Sequence, residues 1–176
     1  MDYTSLVIET NRLKLVPVSL EYLDQIYIYF DAEVTKYMYP APAKELSDSF
    51  PFILSSNQKM KDGIDFTYVI LKKDNLEFLG CGGVHGLNQE YPEFGIWTKM
   101  SSHGNHYGFE AVEASFHHFK NQFKGFIYPV DKANIPSKKI ALKLGGKLHK
   151  EYTHENQSGV ILNIEEYLIP SNGLDF

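Results

Sequence analysis

The sequence predicts a single domain of the α/β (α+β) class, built on a mixed, mostly antiparallel sheet of six to seven strands with helices on both faces. Three observations support this prediction. The length of 176 residues is typical of one domain, and the 43% of hydrophobic residues can form a sizeable core. Some short segments alternate apolar and polar residues, as strands do, and others repeat apolar residues at helical spacing. The two kinds of segment follow each other without a linker, an internal repeat or a low-complexity tract.

The first part of the chain predicts a strand that leads into helices. Alternating side chains mark the strand, and Ser19 precedes a segment with an apolar helical face. Prolines then break the pattern, because proline cannot continue a helix. The predicted elements are a strand at 12–18, a helix at 20–30, a short helical piece at 34–38, a loop at 39–44 and a helix at 45–63 that is interrupted near Pro51.

The rest of the chain predicts three successive strands and then alternating helices and strands. Turn residues such as Asp74 and Asn75 separate the strands, and Pro136 and Gly145 mark the two ends of the last helix. The predicted elements are strands at 65–73, 76–87 and 91–100, a helix within 103–119, a strand at 125–130, a helix at 135–146 and a closing hairpin of strands at 147–155 and 160–169.

The charge balance argues against nucleic acid as a partner. The formal net charge is -5 at pH 7 and Arg12 is the one arginine, whereas duplex-binding domains are usually basic. No apolar run approaches the roughly 20 residues that a membrane-spanning helix needs. The first residues also lack the charged start and apolar core of a secretory signal. We therefore expect a cytoplasmic location, with no membrane and no nucleic-acid partner.

Metal binding is not expected either. The single Cys81 excludes an internal disulfide and leaves too few thiols for a cysteine-based zinc site. The adjacent His117 and His118 would point to different sides of a helix, which makes them a poor pair of ligands. The seven histidines show no HExxH spacing.

The segment HGNHYGFEAVEASFHHF at 103–119 joins a glycine-containing loop to an amphipathic helix. The loop has no Lys or Arg, but the N–H groups of a helix N-terminus carry partial positive charge and glycine lets an anion approach them. Backbone amides could therefore hold a diphosphate, although a strand, a glycine loop and a helix also occur where a chain merely turns. The predicted core stripe is Phe109, Val112, Phe116 and Phe119, and the predicted solvated face is Glu110, Glu113, His117 and Asn121.

Three segments together resemble the GCN5-related N-acetyltransferase (GNAT) superfamily. IETNRLKLVPV at 8–18 resembles the opening ETxRLxLRP of that family, and PEFGIWTKMSSHGNHYGFEAV at 92–112 is similar to aEiGYwl…p…wGkGyatEA. ANIPSKKIALKLGGKL at 133–148 is similar to N..S.rvleklGF. The segments follow the family's order, and the branch that they resemble is the RimJ/RimL type of ribosomal-protein N-acetyltransferase. The resemblance implies one N-acetyltransferase-like domain over residues 1–176.

The resemblance also implies a binding site for acetyl-CoA as co-substrate, at a point where two neighbouring strands splay apart. The pantetheine arm would pair with the strand before the loop, and the diphosphate would lie on the loop and the helix N-terminus. An Asn and a Ser of the third segment would lie near the thiol. The implied cofactor-binding residues are Phe94, Gly95, Ile96, Trp97, Thr98, His103, Gly104, Asn105, His106, Tyr107, Gly108, Asn134 and Ser137.

The sequence departs from the family's pattern at three positions. His106 stands where the family has the central glycine of its loop, so its side chain could narrow the diphosphate site or donate to the anion. Ala141 stands where many members have the tyrosine that protonates the leaving thiolate, a residue that the Rim-type branch often lacks too. Gly146 replaces the phenylalanine of the family's GF pair.

Glu93 and Ser137 are the catalytic residues that the resemblance implies. Glu93 matches the acidic residue of aEiGYw and could take a proton directly or through water, or it could simply pair with a cation in solvent. Ser137 could protonate the departing thiolate, or its hydroxyl could satisfy the first turn of a helix. His85, His103 and His106 are alternative bases, because histidine titrates near neutral pH.

The need for a base depends on the amine. An α-amine with a pKa of about 8 is about one tenth neutral at pH 7, whereas a lysine amine with a pKa of about 10.4 costs roughly 4.6 kcal/mol to deprotonate. A base is therefore more pressing for lysine. A strand N–H near Trp97 is expected to hold the oxyanion of the intermediate.

These expectations leave two functions open. The first is an acetyl-CoA-dependent N-acetyltransferase that acts by direct transfer on a peptide N-terminal α-amine or a small-molecule amine. The alternative is a catalytically degenerate CoA-binding or acyl-CoA-binding module that acts as a sensor or interaction protein, and Ala141 and His106 keep it open. A homodimer is also possible, since dimers are frequent in the superfamily.

Overall fold

An eight-stranded sheet and four α-helices make up the computed structural model, which describes residues 1–172. Five short 3₁₀ turns connect these elements. The strands are β1 (Ile8–Glu9), β2 (Leu13–Pro17), β3 (Phe66–Lys72), β4 (Phe78–His85), β5 (Glu93–Thr98), β6 (Gly125–Asp131), β7 (Lys147–Glu155) and β8 (Ile161–Pro170). The helices are α1 (Leu23–Tyr29), α2 (Phe50–Lys61), α3 (Tyr107–Phe119) and α4 (Ile135–Lys143).

The predicted fold class is confirmed, and the structure adds one short strand. This strand, β1, pairs with β2. It has only two residues, so it is too short to show a periodic pattern in the sequence. The predicted helix at 20–30 begins with a 3₁₀ turn before α1. The predicted interruption near Pro51 is the start of α2, because a proline is tolerated in the first turn of a helix.

The strands are ordered β1-β2-β3-β4-β5-β6-β8-β7, and every neighbouring pair is antiparallel except one. The exception is β5 with β6, which are parallel. Most neighbouring strands pair along their length, whereas β5 and β6 share a single residue pair, Glu93 with Ile127. The sheet is therefore open in its middle, between β5 and β6.

Helices cover both faces of the sheet. On the face that we call the α3 face, Phe94, Phe116 and Phe126 pack together, with ring centroids 4.7 and 5.6 Å apart. On the opposite α1 face, the ring of Phe30 lies 5.0 Å from that of Trp97. Because successive side chains of a strand point to opposite faces, Phe94 and Trp97 place β5 in contact with both helical layers.

Helix α3 buries most of its predicted stripe. Val112, Phe116 and Phe119 are buried in the core, and the buried Ser115 hydroxyl donates to the Tyr68 hydroxyl on β3 at 3.0 Å. Phe109 is only partly buried, since it lies in the first turn, where the helix borders a cavity. The N-terminal end of α3 is thus the part of the helix that is left facing a ligand-sized space.

Among residues 1–172, no helix combines the length and the apolar character that crossing a membrane requires.

Candidate active site

The opening between β5 and β6 begins directly after their single residue pair. The Ile127 N–H donates to the Pro92 carbonyl at 2.8 Å, and beyond this point the two strands diverge. Three cavities adjoin there, and Met38 and Ile96 line all of them. This arrangement matches the splayed strands that the resemblance implies.

We name the three cavities by their position. The loop cavity, about 440 Å³, is bounded by the end of β5, the loop at 103–106, the first turn of α3 and α4. The gap cavity, about 280 Å³, lies between the diverging β5 and β6 and extends to Tyr152 and Leu162. The α1-side cavity, about 530 Å³, lies between the glycine-rich strands β4 and β5 and the α1–α2 layer.

Strand β5 turns unpaired backbone groups into the opening. The Lys99 N–H donates to Leu79 on the β4 side, so the N–H of Trp97, two residues earlier, points to β4 as well. The N–H groups of Ile96 and Thr98 point the other way, into the gap. An oxyanion-holding amide near Trp97 is therefore better placed at these neighbours than at Trp97 itself.

The loop before α3 has the backbone conformation of an anion-binding turn. His106 is the N-cap of α3 and has a left-handed backbone with φ of 62°, and Gly104 has φ of 83°. The family's glycine position thus keeps its glycine-like conformation although it carries a histidine, a residue for which this conformation is less rare than for most. The first amides of α3, which include those of Tyr107 and Gly108, have no partner within the helix.

The loop cavity borders the segment that the resemblance predicts to hold a diphosphate. A β-carbon on Gly108 would lie 3.5 Å from Ile140 Cδ1 and 3.8 Å from Ile96 Cγ1, so glycine keeps the passage between α3, α4 and β5 open. Lys139 and Lys143 line the same cavity from α4. Their spacing of four residues places both cations on one helical face, toward the phosphate end of the site.

Arg12 fixes the loop from outside. Its guanidinium lies 2.7 Å from the Glu110 carboxylate, donates to the Asn105 carbonyl at 3.0 Å and stacks over the Tyr107 ring at 4.7 Å. Burial alone would raise the pKa of Glu110, but hydrogen bonds from Thr10 and Arg12 lower it. The prediction that Glu110 lies on a solvated face is therefore wrong, because Arg12, which directly precedes β2, covers it.

Ser137 and Asn134 lie where the loop and gap cavities meet. The Asn134 side chain caps α4 by accepting the Ser137 N–H at 3.4 Å. The Ser137 hydroxyl bonds the buried Tyr128 hydroxyl at 2.9 Å instead of a backbone group. Burial raises the pKa of Tyr128, which keeps its hydroxyl protonated. Ala141 is fully buried, so position 141 does not face the cavity.

Glu93 begins β5 beside the opening and lines the gap cavity. Its carboxylate is solvent-accessible but enclosed by the walls of the cleft. Burial and the nearby Glu166 raise the pKa of Glu93, and the nearby His85 partly offsets them. Glu93 is the direct cross-strand partner of His85, so both side chains lie on the α1 face.

His85 is held by a buried carboxylate that the sequence did not reveal. Its Nδ1 lies 3.2 Å from Asp65 Oδ2, and Asp65 also accepts the Gly86 N–H at 2.9 Å. Burial alone would raise the pKa of Asp65, but these hydrogen bonds and the charges of His85 and Lys59 lower it to about 2. The ring of His85 lines the α1-side cavity.

The other two candidate histidines lie elsewhere. His103 Nε2 donates to the Thr98 carbonyl at 2.9 Å, at the far end of β5 from Glu93. His106 is exposed at the start of α3. Both line the loop cavity, and neither lines the α1-side cavity.

Most of the implied cofactor-binding residues surround the cavities, with one exception. Asn105 lines none of the three, and its carbonyl binds Arg12. Phe94 points its ring into the α3-face core and reaches the gap cavity together with Gly95. Of the implied cofactor-binding residues, those that line the loop cavity are Ile96, Trp97, Thr98, His103, Gly104, His106, Tyr107, Gly108, Asn134 and Ser137.

Four contributors were missed in the sequence. Tyr128 and Asp65 are ordinary strand-region residues by pattern, and nothing in the sequence marks them. Lys139 and Lys143 carried a usable signal, because their spacing of four on a predicted helix indicates a shared face. Within residues 1–172, no group of three or more His, Cys, Asp or Glu side chains is arranged to hold a metal ion.

Comparison with known proteins gives the same picture. The family model of the acetyltransferase (GNAT) domain matches residues 12–147. The structure is similar to that of the microcin C7 self-immunity acetyltransferase MccE in complex with acetyl-CoA and AMP, with a TM-score of 0.81 and 19% identity over 92% of this chain and 93% of that one. No curated protein matches the chain.

Two further structures are ribosomal-protein acetyltransferases. RimL, the ribosomal L7/L12 alpha-N-protein acetyltransferase in complex with coenzyme A, has a TM-score of 0.82 and 14% identity over 94% of this chain and 98% of that one. The Salmonella typhimurium acetyl transferase that modifies the N-terminal serine of the 50S subunit protein L7/L12 has a TM-score of 0.81 and 14% identity over 97% and 100%. The family match and the shared fold confirm the resemblance, and the chain belongs to the GNAT acetyltransferase family.

Proposed function

We propose that the chain is an acetyl-CoA-dependent N-acetyltransferase that transfers the acetyl group directly to a primary amine, either a peptide N-terminal α-amine or a small-molecule amine. The observation that carries this proposal is the continuity of the three cavities around Ile96. They form a passage from the N-terminus of α3, through the opening between β5 and β6, to the α1 face. A donor and an acceptor can thus meet across β5.

The donor side would bind acetyl-CoA mainly through backbone groups. The carbonyl of Ile96 and the N–H of Thr98 point into the gap and are placed to pair with the amides of the pantetheine arm. The first amides of α3 are placed to bind the diphosphate. Lys139 and Lys143 add positive charge at the rim. The coenzyme supplies the activated thioester, and these residues orient it.

Ser137 is proposed to protonate the leaving thiolate. Its hydroxyl lies in the passage, and its hydrogen bond with the Tyr128 hydroxyl gives it a second protic group from which the proton can be replaced. This pair supplies what Ala141 cannot, because the methyl group of alanine has no acidic proton to give. The N–H of Ile96 is proposed to stabilise the oxyanion, since it faces the gap.

Glu93 is proposed to promote the loss of a proton from the acceptor amine, either as the base, directly or through water, or through its negative charge beside a neighbouring base. Its raised pKa brings the carboxyl closer to the range in which a base is effective at neutral pH. The nearby Glu166 adds negative charge, which attracts a cationic amine to the α1 face before deprotonation.

The experiment is a turnover assay of the chain with acetyl-CoA and a panel of N-terminal peptides, polyamines and other primary amines. The proposal expects thiol release that depends on one class of amine, and a product heavier by one acetyl group. Binding of acetyl-CoA without thiol release for any amine would instead favour the CoA-binding module. This module stays the second candidate because the buried Ala141 stands where many family members have a tyrosine that protonates the thiolate.

The finer features of the resemblance remain predictions. Membership of the RimJ/RimL branch would be supported if a ribosomal-protein N-terminal peptide were the preferred acceptor. The cytoplasmic location and the homodimer are likewise predictions, which cell fractionation and sedimentation of the purified chain would test.

A further inference from the structure

The pair of Asp65 and His85 has the arrangement of a catalytic base and its orienting carboxylate. Asp65 lies immediately before β3, and its side chain is 6% exposed. It holds Nδ1 of His85 at 3.2 Å. Because Asp65 is ionised over the whole neutral range, it favours the tautomer with the proton on Nδ1 and leaves Nε2 as the free acceptor.

Two glycines make room for the imidazole beside β5. A β-carbon on Gly83 would lie 2.6 Å from both Nε2 and Cε1 of His85, and one on Gly95 would lie 3.3 Å from Nε2. Any larger residue at position 83 would displace the ring. The Nε2 end of the His85 ring therefore lies over β4 and β5, close to Gly83 and Gly95.

The His85 ring lines the α1-side cavity, close to the reaction passage. His85, Gly83 and Gly95 form part of the floor of that cavity, and Gly95 and Ile96 also line the gap cavity. The His85 side chain is 40% exposed, so a ligand can reach it. An amine that enters from the α1 face would meet Nε2 before it reaches the opening between β5 and β6.

We propose that His85 Nε2 is the base that deprotonates the acceptor amine, and that Asp65 is its positioning residue. This inference rests on the proposed acetyl transfer. Nε2 takes one proton from the substrate ammonium. The neutral nitrogen then forms the N–C bond with the thioester carbonyl carbon, the C–S bond breaks, and its electron pair leaves with the thiolate. The thiolate gains a proton from Ser137. The nitrogen of the intermediate, which still carries one proton more than the amide, gives that proton to water, and the Ser137–Tyr128 hydroxyl pair regains its proton from water. The imidazolium later releases its own proton, so the whole reaction frees one proton to solvent.

The charged groups around His85 suit this role. Asp65 Oδ2 lies 3.2 Å from His85 Nδ1 and 3.3 Å from Lys59 Nζ, so one carboxylate oxygen contacts both groups. Glu93 faces His85 across the strand pair. Once the imidazole has taken a proton, both carboxylates stabilise the resulting cation. Glu93 therefore assists the base through its charge, and His85 makes the contact with the amine.

The test compares His85→Ala with a matched control, His149→Ala, which removes an exposed histidine of β7 that lines none of the three cavities. With the best amine of the panel, kcat/KM of His85→Ala should fall by at least about 100-fold. The dissociation constant of acetyl-CoA should stay within about twofold, because the donor side is unchanged. Added imidazole should restore part of the turnover, since the space over Gly83 and Gly95 then admits the free ring.

Asp65→Asn gives a second readout that a structural role would not move. The asparagine amide can donate to Nδ1, which shifts the proton to Nε2 and removes the free acceptor. We expect kcat to fall at an unchanged acetyl-CoA affinity. Added imidazole should give no rescue, because the His85 ring still fills its place. Melting curves of both variants confirm that they fold.

Two results would overturn the inference, and they are distinguishable. If His85→Ala keeps its turnover within about threefold while Glu93→Gln loses it, Glu93 is the base and the proposed transfer still holds. If the unaltered chain releases no thiol with any amine, the proposed function fails and the inference fails with it.

Discussion

The two sides of strand β5 present different chemical groups, backbone amides on one side and side chains on the other. On the side of the loop and α3, the groups that face the cavity are largely backbone N–H groups, shaped by Gly104, Gly108 and the left-handed His106. On the α1 side, the same strand presents side chains, namely Glu93 on its own edge and His85 across the strand pair. We call these the donor side and the acceptor side.

This difference explains why the donor side can be recognised from the sequence and the acceptor side cannot. A site made of backbone amides needs glycines at fixed positions, a strand that stops pairing and a helix that starts at the right residue. These requirements leave a spaced motif, and the family model spans it at residues 12–147. A site made of side chains can be rebuilt from different residues without changing the fold, so it carries the identity of the acceptor and little family signal.

The largest expected effect comes from adding one methyl group on each side of β5, with Gly83→Ala on the acceptor side and Gly108→Ala on the donor side. Gly83→Ala places a β-carbon 2.6 Å from the His85 ring, which must move, so turnover should fall by about 100-fold with little change in acetyl-CoA affinity. Gly108→Ala makes only ordinary contacts, at 3.5 and 3.8 Å, but narrows the loop cavity. It should weaken acetyl-CoA binding and leave kcat at saturation nearly unchanged. Calorimetric titration and saturation kinetics measure both, and equal losses of affinity in the two variants would contradict the division.

The acceptor side should make the stability of the fold depend on pH through Asp65. The pKa of Asp65 is about 2 in the folded chain and 3.8 for the unfolded residue. A lowered carboxyl pKa stabilises the fold above the unfolded value, and this stabilisation is lost as the pH falls toward the folded value. Between about pH 5 and about pH 2, the unaltered chain should lose about 2 kcal/mol more unfolding free energy than Asp65→Asn.

Urea unfolding at a series of pH values checks this expectation. Parallel curves for the unaltered chain and Asp65→Asn would mean that Asp65 is not held in the charged form that His85 needs. Asp2 has a lowered pKa too but is fully exposed, so Asp2→Asn is a suitable control.

A smaller effect should come from the support of the donor side. Arg12→Gln removes the contacts with Glu110 and the Asn105 carbonyl, so the loop loses its anchor to β2. The dissociation constant of acetyl-CoA should rise about tenfold, which corresponds to about 1.4 kcal/mol, and kcat at saturation should stay within about twofold. Lys14→Gln, two residues further along the chain in β2, is the matched control. A tenfold loss in kcat instead would place Arg12 in the reaction itself.

The smallest expected effect tests whether the donor side depends on a side chain. His106 has a left-handed backbone with φ of 62°, which is strained for a residue with a β-carbon. His106→Gly removes this strain and should raise the free energy of unfolding by about 1 kcal/mol. If backbone amides bind the diphosphate, the affinity for acetyl-CoA should stay within about threefold. A loss of tenfold or more would show that the imidazole is itself a ligand, the second of the two roles that the sequence leaves open.

The sequence predicts the order of elements, the sheet class and the residues around the loop cavity, because alternation, helical spacing and glycine positions are local signals. It does not predict that Arg12 reaches Glu110, since 98 residues separate them and the contact depends on how β2 lies beside α3. It names His85 only as one of three histidines that are alternatives to Glu93, because only the register of β4 with β5 places His85 opposite Glu93. Asp65 carries no local signal at all, as its role depends on that same sheet.

A crystal structure of the chain with coenzyme A tests the central claim most directly, namely that the backbone of β5 and the first turn of α3 bind the acetyl donor. The account predicts the pantetheine arm between β5 and β6, paired with the backbone of Ile96 and Thr98, and the diphosphate against the first amides of α3. Coenzyme bound on the α1 face, or no coenzyme in the opening at saturating concentration, would contradict it.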